Sequence, residues 1–133
     1  MEFMKQYLVL LKKAKVDLKV SKNLLRDFEA GDDELDLETI MFHLQQCVEK
    51  SLKALLSFNE QHFTKTHDLE KLINTCSENE IELQEGIKIL IPLSEYAVEG
   101  RYSIIHDDIN DAHEYIVYID GLISFIERRI PYE

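Results

Sequence analysis

Apolar residues recur every three or four positions over most of this chain, which is the spacing of helices that bury one face. Residues 3–29 place Met4, Leu8, Leu11, Ala14, Leu18, Leu25 and Phe28 on one stripe, with lysines on the other side. The pattern stops at "EAGDDELD", where Gly31 offers a helix end and the acids a solvated loop. A second helix is predicted from about Asp36 to Asn59, with Leu37, Met41, Leu44, Val48, Leu55 and Phe58 inward and Ile40, Cys47 and Leu52 beside them. Glu49 and Lys53 are spaced to pair on its outer face. "HDLEKLINTC" reads as a short third helix capped by Thr66. A fourth is predicted over 80–99, kinked near Lys88 to Ile91 because Pro92 removes a donor and crowds the preceding turn. The last opens in "HDDIND", carries Ile109, Ala112, Ile116, Ile119, Ile123, Ile126 and Ile130, and is closed by Pro131.

Four long helices and one short one, joined by modest loops, predict an all-α, up-and-down four-helix bundle with an additional short helix, one domain over 1–133. The last helix also carries Tyr115, Val117, Tyr118, Leu122 and Phe125 off its main stripe. That surplus predicts a second buried surface, most simply a homodimer interface.

Composition narrows this little. Hydrophobic residues make up 45% and charged residues 31%, the balance of an ordinary globular domain. The apolar run "YLVLL" is too short for a signal peptide, and no stretch approaches a membrane span. A cytoplasmic protein is expected, with Cys47 and Cys76 as reduced, buried thiols. The formal charge of −11 changes more. It disfavours general electrostatic binding of a phosphate backbone, so nucleic-acid chemistry would need a local basic site or a basic partner.

Three stretches carry a resemblance: "FHLQQCVEKSLKALL" at 42–56, "KTHDLEKLI" at 65–73 and "YAVEGRYS" at 96–103. In this order and spacing the chain resembles the HEPN family (higher eukaryotes and prokaryotes nucleotide-binding domain), in the branch encoded beside minimal nucleotidyltransferases. The resemblance implies a helical dimer with a polar groove between subunits, and a toxin–antitoxin pairing in which the transferase is the antitoxin. Many members are metal-independent ribonucleases using an Arg, four to six residues, then His. Others are noncatalytic nucleotide-binding or adaptor modules.

Arg101, then "YSII", then His106 has the catalytic spacing. RNA can be cut by its own 2′-hydroxyl, given a base and a cation for the charged phosphorane; His106 and Arg101 suit those tasks. Tyr96 and Tyr102 are candidates for stacking on a base. Departures favour binding over cleavage: Tyr102 stands where active members have a polar residue, and Asp107 and Asp108 beside His106 repel phosphate. His67 reads as a structural residue at the start of the third helix, and His43 and His62 as surface or packing residues. No cofactor is expected. The seven-residue gap between His106 and His113 is no recognised metal-ligand spacing, and no Glu-x-x-His pair of a di-metal bundle occurs. The resulting reading is a dimeric HEPN module that binds a nucleotide or RNA or docks a minimal nucleotidyltransferase; the alternative is an RNA-cleaving toxin.

Overall fold

A computed structural model describes residues 5–97 and 108–131. These form five helical elements: α1 (Gln6–Glu29), α2 (Leu37–Phe58), α3 (Leu69–Glu78), a 3-10 helix (Ile87–Tyr96) and α4 (Ile109–Glu127). The all-helical architecture agrees with the periodicity. No helix among the described residues is long and apolar enough to cross a membrane.

The centre of the fold is α2. Of its residues only Glu38 is exposed. Its most extensive pairing is with α1, where small side chains bring the two backbones close: Ala14 and Ser21 on α1, Cys47, Ser51 and Ala54 on α2, all buried. Ser21 and Ser51 each return their hydroxyl to the carbonyl four residues back, so neither leaves an unmet donor in the core. Tyr7 packs edge-on to Phe58, which fixes the two helices as antiparallel.

Helix starts follow capping chemistry. The Asp36 carboxylate accepts from the Thr39 amide and begins α2. Asp68, two residues past the predicted cap Thr66, accepts from the amides of Glu70 and Lys71. Thr66 instead accepts from the Asp68 amide, outside the helix. At α4, Asp108 and Asp111 make a reciprocal capping box.

The fourth element departs most from expectation. In place of a kinked α-helix, the described part of the 80–99 stretch holds a 3-10 helix over Ile87–Tyr96, with Pro92 inside it, and residues 98 and 99 lie outside the described residues. Proline at 92 would crowd the carbonyl of Lys88 in an α-turn and pushes Ile91 away from α geometry, so the tighter three-residue turn prevails. Gly86 opens it at φ +81°, with its Cα side against the Tyr118 ring: an added Cβ would sit 3.4 Å from the hydroxyl. Tyr118 also donates to the Glu85 carbonyl, stapling this loop to α4.

The apolar surplus of α4 is largely absorbed within the chain. Tyr115 and Leu122 are buried, Tyr118 and Phe125 pack on the core edge, and Val117 alone of the five stands exposed, at 72%. The short loops and the 3-10 helix supply cover that a long fourth helix was expected to give.

Where α1 meets α4 the contact is electrostatic and regular. Lys15 pairs with Glu127 at 2.7 Å, Lys22 with Asp120 at 2.8 Å, and Glu29 with His113 at 3.0 Å. Each pair lies seven residues from the next on both helices, running in opposite directions. The seven-residue step is that of two helices packed at a shallow angle.

Candidate functional site

Arg101, Tyr102 and His106 lie outside the described residues. Tyr96, the last residue of the 3-10 helix, is buried at 7% exposure. The described structure brings together a different set of polar side chains, along α2.

Two carboxylates are buried on opposite flanks of that helix. Asp17 of α1 is 9% exposed and Glu49 of α2 is 5% exposed. Each collects one lysine and one histidine. Asp17 accepts from Lys50 Nζ at 2.6 Å and faces His43 Nδ1 at 3.1 Å. Glu49 accepts from Lys53 Nζ at 2.8 Å, from Gln45 Nε2 at 3.0 Å, and faces His67 Nδ1 at 2.9 Å. Gln46 donates to Gln45, extending the second cluster around the helix toward the first. A helix buried almost all round thus carries a polar band, and neighbouring elements meet its charges.

Burial alone would push the Glu49 carboxyl up, but hydrogen bonds from Lys53, Gln45 and His67 outweigh it and hold the group below the ordinary glutamate range. Glu49 is therefore a fixed anion at neutral pH. The Glu49–Lys53 pair forms as its spacing predicts, but it is buried where the sequence places it on the outer face. The covering group is His67, whose carbonyl also accepts from Gln45 at 3.1 Å. The "THD" and "EK" stretches are in this way joined. Seen from sequence, His67 reads as structural, and the structure gives it a structural partner.

The same contact orients chemistry. With Nδ1–H donated to Glu49, His67 has its second ring nitrogen available, and its side chain is 61% exposed. A carboxylate-held imidazole with one free nitrogen is an arrangement able to pass protons. His43 on Asp17 repeats it in a more enclosed place. The missed signal was spacing: Gln45, Glu49 and Lys53 repeat every four residues, and His43 and Lys50 lie seven apart, all in a helix with too few free faces for them. Neither thiol joins either cluster; burial pushes Cys47 and Cys76 up to about 12. No group of three or more metal-ligating side chains occurs among the described residues.

Comparison with known proteins identifies the class. The HEPN domain family matches residues 7–129, and the chain belongs to that family. Among solved structures it is similar to TT1696 from Thermus thermophilus, at 19% identity and a TM-score of 0.72, covering 96% of this chain and 100% of that one. It is also similar to ST0689, an archaeal HEPN homologue, at 19% identity and a TM-score of 0.67 with the same coverage. At that identity the likeness speaks for the fold. No curated protein matches the sequence.

Proposed function

We propose that this HEPN domain is a dimeric, noncatalytic module that binds a nucleotide through Arg101 and Tyr102 and partners a minimal nucleotidyltransferase. The observation that favours binding over cleavage is the start of α4. Its first amides are taken by its own acids: Asp108 accepts from Asn110 and Asp111, and Asp111 accepts from the Asp108 amide at 2.7 Å. A helix N-terminus with free amides attracts phosphate. Here two residues after His106 it offers carboxylates instead, a poor neighbour for a phosphorane. Buried Tyr96 fits an anchor for the start of the ligand-binding segment, with Arg101 holding an anionic group through its planar fork of donors.

The RNA-cleaving reading rests on the Arg101–His106 spacing. One experiment separates the two: RNA cleavage with cyclic-phosphate detection, beside nucleotide binding, for wild type, Arg101→Ala and His106→Ala. The expected result is no cleavage by wild type, weakened binding by Arg101→Ala and no effect of His106→Ala. Cleavage abolished by either substitution, typically about a hundredfold or more, establishes the ribonuclease. Light scattering should give a dimer, twice the chain mass of 15.6 kDa; a transferase partner should co-purify at moderate salt.

A further inference from the structure

The helix α1 is the basic element of an acidic protein. It holds Lys12, Lys13, Lys15, Lys19, Lys22 and Arg26 against Asp17, Asp27 and Glu29, a net +3, so the remainder of the −11 chain carries −14. All six cations are exposed. Five of them, all but Lys13, fall into two rows with the same seven-residue step. Lys15 and Lys22, followed by Glu29, form the row that meets α4. Three residues before each lies the second row, Lys12, Lys19 and Arg26, and the exposed cap residue Lys5 continues it.

This outer row has no counter-charge of its own across the fold. Lys5, Lys12 and Lys19 form no ion pair among the described residues, and Arg26 has only a 3.5 Å contact with its neighbour Asp27. At about 1.5 Å per residue, the row spans roughly 30 Å with a cation every 10 Å or so. We propose that this row is a track for a single-stranded nucleic acid, held by its phosphates without reading its bases. It rests on the nucleotide-binding reading above for the choice of polymer, and on charge complementarity for the surface.

Three features favour a strand. The cations lie in a line, which matches a linear array of charges better than a compact anion. Most are lysines, compact point charges suited to phosphates without fixed geometry. No aromatic side chain interrupts the row, so base stacking contributes nothing and sequence preference should be slight. The protein's overall charge does not forbid it. At physiological salt, exposed charges beyond about 8 Å are largely screened, so the row acts by its local field. A duplex, being wider, would bring phosphates over the Asp120 and Glu127 side of the seam.

The test is fluorescence anisotropy with a labelled 20-nucleotide oligo-U strand across a salt series, using the whole chain. Three or four phosphate contacts give a slope of log affinity against log salt of about −2 to −3. Reversal by Lys12→Glu with Lys19→Glu should weaken binding at least about tenfold and reduce the slope by at least about 1. Lys12→Arg with Lys19→Arg should keep both, and circular dichroism should show all variants folded. Arg101→Ala should leave strand capture intact even if mononucleotide binding disappears, so this inference and the proposed function fail separately. Wild type that ignores the strand at low salt overturns the inference. So does binding indifferent to the row, or an oligo-glutamate of equal charge binding as well, which would make the surface a site for acidic protein.

Discussion

The helix α1 uses charge in opposite ways on its two sides. Toward α2, Asp17 is buried and shared between Lys50 and His43. Toward α4, two ion pairs and the Glu29–His113 hydrogen bond lie at the surface, with most of these side chains between one-third and one-half exposed. A buried charge deprived of its partner cannot turn to water, whereas an exposed one can. The buried contacts should therefore govern stability, while the more numerous exposed pairs contribute little individually. Glu49, on the far flank of α2, belongs with the buried class and is its deepest member.

The largest effect should follow Glu49→Ala, which strands Lys53 and Gln45 against the core. A loss of about 3 kcal/mol in chemical denaturation is expected, and a change under about 0.5 kcal/mol would place Glu49 with the surface pairs. Asp17→Ala should cost less, roughly 2 kcal/mol, because Lys50 and His43 each retain a quarter of their side-chain exposure. Acid should narrow the Glu49 difference. Its folded carboxyl titrates below the ordinary 4.5, so between the two values the unfolded chain binds more protons. The stability gap between wild type and Glu49→Ala should be full above that range and shrink as pH falls through the lowered value; urea melts at successive pH values measure it. The smallest effect belongs to the seam. A double-mutant cycle on Lys22→Ala and Asp120→Ala should give a coupling of about 0.5 kcal/mol or less, decreasing with salt.

Much of the fold is legible in the sequence because one stripe of apolar residues dictates each long helix. The main stripe of α4, from Ala112 to Ile126, is buried apart from its half-buried first member Ile109, and so is Ile130 just past the helix end. Legibility fails where a residue's neighbour comes from elsewhere in the chain. Glu49 and Lys53 look like a surface pair until the segment carrying His67 closes over them. The 80–99 stretch has helical periodicity, yet one proline shifts its backbone to 3-10 geometry, a choice that apolar spacing does not record. Tyr115 and Leu122 look unpartnered beside a one-sided helix and are buried in the folded chain. Of the candidate site, Arg101, Tyr102 and His106 were legible as a motif alone; the buried carboxylate clusters were legible only as a four-residue repeat of polar positions.

The order of signs along the α1–α4 seam works as an error check on assembly. Read along α1 it is plus, plus, minus; its complement on α4 is the carboxylates of Glu127 and Asp120, then the ring N–H donor of His113. Apolar stripes that repeat every seven residues would tolerate one helix sliding by a full repeat. Such a slide in one direction sets Lys22 on Glu127 but Glu29 on Asp120, two like charges. In the other it sets Lys15 on Asp120 but Lys22 on His113, trading an attraction for none. Only the native alignment matches all three symbols, so weak pairs that add little to the depth of the energy minimum still mark which minimum is correct.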